Sequence, residues 1–343
     1  MALVQTVTGP VKAEDLGITL IHEHLLIDAR SYWRNPQEAT RIRLAYQPVA
    51  AGILHELRQD PFINLDNCCL FDEDMASEEV LQFKLLGGRT VVDATPANVG
   101  RDPIALRRIA ERTGLLVVMG CGYYLEQTHP AWLRSASIED IKEKIVADVL
   151  EGVGDSGIKA GHIGEIGISK DFTPQEEKVL RGAARAQRLT QVALSVHLPG
   201  WERLGHRVLD VIAEEGGDLN RVILNHMNPS GGDLEYQMSL ADRGAYLSYD
   251  MIGMDYYYAD QDAQCPSDEE NARAITALTQ AGYGHKVVLS QDVFLKMMLT
   301  CYGGNGYAYI LRHFVPRLRR HGLSRDEIER LLIDNPRRVL AGA

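Results

Sequence analysis

The sequence predicts a (β/α)8 TIM barrel with a long insertion after its first strand, and three observations lead there. Eight short β-branched or apolar runs recur along the 343 residues. Stretches with helical spacing lie between them. Near-continuous apolar strands alternating with amphipathic helices make a parallel sheet covered by helices, and eight such units are the number that closes into a barrel.

In order, the runs are ITLIHEHLLI from Ile18, RTVVDAT from Arg89, LLVVMGCG from Leu115, KAGHIGEIG from Lys159, QVALSVH from Gln191, RVILNH from Arg221, AYLSYD from Ala245 and KVVLSQD from Lys286. Each is bounded by Gly, Pro, Asn or Asp, which terminate strands. Helical spacing appears in DPIALRRIAERTG from Asp102, SIEDIKEKIVADVLEG from Ser137 and TPQEEKVLRGAARAQRLTQ from Thr173. Thr173 can act as an N-cap, Pro174 suits the first turn, and Glu176 completes a capping box.

The main irregularity is a segment of roughly 48 residues, from about Asp28 to Ala76, that separates the first strand from its helix. A stretch that long is either a lid or binding loop, or a subdomain packed on the barrel rim. A second long loop, MIGMDYYYADQDAQCPSDEE from Met251, follows the seventh strand. No linker divides the chain, so residues 1–343 read as a single domain with 28–76 inserted in it.

Lys+Arg number 36 against 47 Asp+Glu, a net charge of −11. An acidic surface repels phosphate backbones, and no basic run is interleaved with aromatics, so nucleic acid is not an expected partner. The opening residues lack the basic and apolar regions of a signal peptide, and no apolar run approaches the ~20 residues that span a bilayer. The five cysteines, Cys68, Cys69, Cys121, Cys265 and Cys301, have no zinc-like spacing. They read as small buried hydrophobes or reduced thiols of a cytoplasmic protein.

Chemistry concentrates at the strand ends. His22 and His24 lie two apart on the first strand, so both imidazoles face the interior while Glu23 faces away. Taken alone, the HEH triplet reads as a pair of barrel histidines without metal. Glu165, His197, His226 and Asp292 change that reading, because each ends a different strand, and the active face of such a barrel is that end. An interior filled for stability would use Val, Ile and Leu. Buried imidazoles and carboxylates without partners are costly, and metal ligation satisfies them together.

These residues carry a resemblance to a known family. From VQTVTGPVKAEDLGITLIHEHLLI, through GGRTVVDATPANVGRD and GIKAGHIGEIGIS, to LSQD and IDNPRRVL, the chain resembles the phosphotriesterase-related proteins of the amidohydrolase superfamily. The resemblance covers nearly the whole chain apart from the insertion. It implies a binuclear metal centre, with His22, His24 and Asp292 on one ion and His197 and His226 on the other. In the phosphotriesterase itself a carboxylated lysine bridges the ions; the matching position here is Glu165, which offers the same O–C–O bite on a shorter arm. Zinc suits imidazole and carboxylate, and Mn, Co, Fe or Ni would fit the same ligands. Two cations would acidify a bridging water and polarise the substrate oxygen, and Asp292 would carry the proton to the leaving group, or serve as a ligand alone.

Substrate contacts follow from the same resemblance. Tyr124, in GCGYY, matches the tyrosine that the family's lactonases place beside the metals; otherwise it packs under a loop. Met251 stands where the phosphotriesterase has a relay histidine, and Pro229 where it has a relay aspartate, so phosphotriester cleavage is at most a promiscuous activity. Asp250 beside it is a polar contact or a cap. The run CYGGNGYAY from Cys301, with Lys296 nearby, offers a place where free backbone N–H groups bind an anion, or simply a tight turn. Arg101 is an anion contact or an ion pair with Asp102. The expected function is a metal-dependent hydrolase of a small carboxylic ester, foremost a lactone. Amide hydrolysis of N-acyl amino acid or N-acyl taurine type is the alternative, and a non-catalytic small-molecule-binding barrel is the reading from another class. The expected partners are a small-molecule substrate and, as in relatives, a second copy in a homodimer.

Overall fold

In the computed structural model, which describes residues 2–342, eight parallel strands form one sheet. They are β1 (Ile18–Glu23), β2 (Gly88–Asp93), β3 (Leu116–Cys121), β4 (His162–Gly167), β5 (Ala193–His197), β6 (Val222–Leu224), β7 (Tyr246–Tyr249) and β8 (Val287–Leu289). Sheet order follows chain order, so each strand pairs with the next. This is the expected barrel, with each strand inside the run that predicts it except β2, which starts one residue earlier at Gly88.

The first and last strands close the ring by side chains. Glu23 points into the seam, where Oε1 accepts from Ser290 Oγ at 2.7 Å and from the Gln291 N–H at 2.8 Å, and Oε2 accepts from the Val293 N–H at 2.9 Å. Ser290 Oγ in turn accepts from the His22 N–H at 3.0 Å. Burial pushes the Glu23 carboxyl up to about 7, against the pull of these donors.

Helices between the strands cover the sheet. They include α1 (Glu73–Leu85), α2 (Pro103–Thr113), α3 (Ile138–Leu150) and α4 (Pro174–Thr190). Thr173 and Glu176 form the expected capping box at α4, and Ser137 with Asp140 forms another at α3. Each such cap contributes about 1 kcal/mol. Ile21, Val92, Val118, Ile223 and Val288 pack together inside the barrel with Leu16, Val4 of the N-terminal hairpin and Val339 of the last helix. That apolar plug, at roughly 1.5–3 kcal/mol per buried side chain, fills the end of the barrel opposite the strand termini. The clustered imidazoles and carboxylates of the strand ends lie at the other end.

The insertion leaves and returns through a two-stranded neck, Ile27–Asp28 against Cys69–Leu70. Phe62 and Ile63 bury its interior, and Tyr32 carries it to the carboxyl ends of the barrel strands. No helix among the described residues is long and apolar enough to cross a membrane.

Candidate metal centre and its surroundings

The six residues singled out at the strand ends meet in one pocket. His24 Nε2 lies 3.2 Å from Asp292 Oδ1 and 3.4 Å from Glu165 Oε1. His22 Nε2 lies 3.4 Å from Asp292 Oδ1 and 3.7 Å from Glu165 Oε2. On the other side, the same Oε2 is 3.2 Å from His197 Nδ1 and 3.7 Å from His226 Nε2. Glu165 therefore stands between two groups of donors, one oxygen toward His24 and the other toward the remaining three imidazoles.

Local backbone serves this placement. His226 and Asp292 adopt left-handed φ values of 58° and 50°. Such a conformation costs a non-glycine residue of order 1–3 kcal/mol and persists only where the surroundings enforce it. Gly164, just before Glu165, lies so close to β5 that a Cβ would run into the Ser195 carbonyl and hydroxyl.

The donor set fits divalent cations. His22 Nε2 and Asp292 Oδ1 are buried, lack a hydrogen-bond partner and face one another, and two His/carboxylate groups, His22–Glu165–His226 and His22–His24–Asp292, bring their ligand atoms within metal-ligating reach. Burial pushes the Glu165 carboxyl up, but His22, His197, His226 and His24 outweigh it and hold the group well below the carboxylate range. For Asp292, burial is likewise outweighed, here by His22 and His24. The reciprocal effect lifts His24, against its own desolvation, to about 10. Two ionised carboxylates in a buried pocket demand positive charge, which a proton or a divalent cation can supply.

Two further buried groups lie against the cluster, Asp250, expected as a polar contact or a cap, and His162, which the sequence reading did not single out. Asp250, fully buried at the end of β7, accepts from His226 Nδ1 at 2.9 Å and from the His226 N–H at 3.0 Å. A carboxylate behind an imidazole fixes its tautomer and orientation. Asp250→Asn is expected to weaken metal affinity by about 10–100-fold, read from metal content after dialysis against graded chelator; unchanged retention would remove Asp250 from this role. The sequence allowed Asp250 only a polar contact or a cap, because a lone Asp at a strand end is ordinary.

His162, at the start of β4, is buried with neither ring nitrogen partnered. Burial, followed by repulsion from His22, pushes its imidazole down to about 3. Below about pH 6.5 the unfolded chain takes up a proton that the folded chain refuses. Stability from this group is thus complete above that pH and falls by about 1.4 kcal/mol per pH unit down to about 3. Urea titrations of wild type and His162→Asn between pH 7 and 5 are expected to show a shallower decline for the variant; parallel curves would refute the assignment.

Substrate-facing expectations divide. Tyr124 Oη sits 3.1 Å from His197 Nδ1 and 2.5 Å from Tyr32 Oη. The insertion therefore contributes directly to the pocket, a role for Tyr32 that sequence reasoning missed. The Tyr32 ring stacks on Phe62 with centroids 4.8 Å apart, and Phe62 stacks on Tyr258 at 5.5 Å, joining the insertion to the loop after β7. Met251 is buried beside Asp250, its N–H donating to Asn228 Oδ1 at 3.1 Å.

Arg101 requires correction as to its partner, and Lys296 has a partner in the insertion. The Arg101 guanidinium is buried in an ion pair with Asp148 at 3.0 Å, and it also donates to the Gly120 carbonyl at 3.0 Å. Asp102, its expected partner, instead caps α2 through the Ile104 and Ala105 N–H groups. Lys296 Nζ donates to Asp66 Oδ1 of the insertion at 2.5 Å. The loop after β8 does hold an anion, but it is the protein's own: Glu79 of α1 accepts from the Thr300 and Cys301 N–H groups at 2.9 and 2.8 Å. Those N–H groups are satisfied internally.

A (β/α)8 barrel with four imidazoles and two carboxylates gathered at its strand ends defines the class of metal-dependent barrel hydrolases. Over residues 2–340 the chain matches the phosphotriesterase family, and it belongs to that family. It is 34% identical over 340 residues to an N-acetyltaurine hydrolase of Tetraodon nigroviridis, covering 98% of this chain and 97% of that one. Among solved structures, a resiniferatoxin-binding protein of Rhodobacter sphaeroides superposes with a TM-score of 0.98 at 55% identity, covering 99% of this chain and 95% of that one. A mutant PTE-like lactonase of Deinococcus radiodurans gives 0.77 at 27% identity, covering 98% and 99%.

Proposed function

We propose that the chain is a binuclear metal-dependent hydrolase of a small, neutral carboxylic ester, foremost a lactone. The observation that carries this reading is the commitment of both expected cations, Lys296 and Arg101, to internal carboxylates. With those charges spent, an aromatic wall containing Tyr32, Phe62 and Tyr258 favours an uncharged acyl substrate. Tyr124, with its hydroxyl against His197, supports the reading, since the resemblance matches it to the tyrosine of the family's lactonases.

His22, His24 and Asp292 would hold one divalent cation, His197 and His226 the other, with Glu165 shared between them. The pair, zinc by ligand type, would when bound supply Lewis acidity toward the substrate carbonyl and acidify a water as nucleophile. Asp292 would hold the proton released by the attacking water and pass it to the departing alkoxide, so that addition of water across the acyl–oxygen bond yields a hydroxy acid. Asp250 and Thr95, which bonds His24 Nδ1 at 2.9 Å, keep the imidazoles in place during this exchange. Five unpaired thiols support a reducing, cytoplasmic compartment.

A second reading, hydrolysis of an N-acyl taurine, has the support of the Tetraodon relative's name and its 34% identity. An amine leaving group needs fuller protonation, and the same Asp292 would provide it. The name of the Rhodobacter relative raises a third, a binding barrel, against which stand six intact ligand positions. A panel of γ-lactones, N-acetyltaurine, N-acetyl amino acids and a phosphotriester, assayed on protein reconstituted with each divalent metal, separates them. Lactones are expected to lead in kcat/KM. N-acetyltaurine in first place would transfer the assignment to the amide, and two bound metals with no turnover would favour the binder.

A further inference from the structure

Lys296 faces a second cavity, of about 670 Å3, between the insertion and the loop after β8. Leu70 and Met75 form one side, Leu299 and Tyr302 the other, and Leu25 and Tyr307 the back. Neither Tyr124 nor any of the six clustered residues lines it. Its volume falls within the roughly 300–1,000 Å3 of small-molecule sites. At the mouth, Phe71 is 54% exposed, with the Arg30 guanidinium over its ring.

The polar groups here are specific. Lys296 Nζ uses one proton on Asp66 Oδ1, and Asp66 Oδ2 accepts from the Val49 N–H at 2.9 Å. An ammonium carries three donors, so the pair still offers protons on one side and carboxylate lone pairs on the other. Asp72 also lines the cavity, its Oδ1 held by the Asp74 and Met75 N–H groups, so two carboxylates face one ammonium and an anionic ligand would lose hydration without a compensating partner. A neutral head with an acceptor, a donor or both matches the pair.

We propose that this cavity is a second ligand site, separate from the metal centre, for a neutral amphipathic small molecule. The apolar body of the ligand lies among Leu70, Met75 and Leu299, and its carbonyl, hydroxyl or amide head bonds the Lys296–Asp66 pair. The back wall adjoins the metal centre: Tyr307 Oη donates to the His24 carbonyl at 2.8 Å, and Leu25 is the next residue in the chain. A ligand there touches the strand end that carries His24 without entering the catalytic pocket.

The test uses the full chain and prodan, a neutral naphthalene ketone whose emission reports its surroundings. Titration of metal-free and metal-loaded protein is expected to give saturable binding of one prodan per chain in both forms, unaffected by a saturating lactone substrate. Met75→Trp, which fills the pocket, is expected to weaken binding roughly tenfold while leaving turnover and thermal midpoint near wild type. Phe71→Glu, at the exposed mouth where folding is not at risk, is expected to weaken it about threefold. Absence of saturable binding, equal affinity in both variants, or displacement by the lactone would each overturn the proposal. Because the metal-free form is titrated, the result is independent of whether the metal centre hydrolyses lactones.

Discussion

Glu165→Gln is expected to lose metal and activity together, from near two equivalents per chain to one or none, with turnover down roughly 10³-fold or more. The reason lies in position as much as in charge. Its two oxygens face different donors, Oε1 toward His24 and Oε2 toward His22, His197 and His226. An amide keeps the shape but loses the negative charge and half of the acceptor capacity, so one side of the pocket is left without its anionic ligand. Metal analysis and rate are measured on the same preparation. Full occupancy with a normal rate would exclude Glu165 as the shared ligand.

Asp292→Asn is expected to behave differently. His22 and His24 remain to hold an ion, so part of the metal stays, whereas turnover falls by about 10²–10⁴ through loss of the proton carrier. The strained φ of 50° at this position indicates that the surrounding seam forces the side chain into the pocket. A pH–rate profile adds a readout that ligation alone would not move: the limb belonging to the acceptor should disappear in the variant. Wild-type turnover at partial metal content would leave Asp292 a ligand and nothing more.

How much of this was legible in the sequence depends on the range of the interaction concerned. Strand positions were readable because apolar runs of a few residues bounded by turn formers are local signals, and the capping box at Thr173 is local too. The metal-centre candidates were readable because imidazole at a strand terminus is chemically out of place in a barrel interior. The ion-pair partners of Lys296 and Arg101 are not legible in the sequence, because Asp66 and Asp148 lie 230 and 47 residues away and belong to other elements. For the same reason Glu79, satisfying the N–H groups of a loop some 221 residues later, left no trace in the composition of that loop. Tyr32 was one aromatic among several in the insertion, and only its 2.5 Å approach to Tyr124 distinguishes it.

The side-chain seam at Glu23 has a consequence for how the molecule is made. Its partners Ser290, Gln291 and Val293 follow it by 267, 268 and 270 positions. A nascent chain emerging from the ribosome can lay down the early β/α units, but the ring stays open until residues 290–293 have been synthesised. Asp292 sits within that final stretch, so a prematurely terminated product lacks the residue and the closure in one stroke.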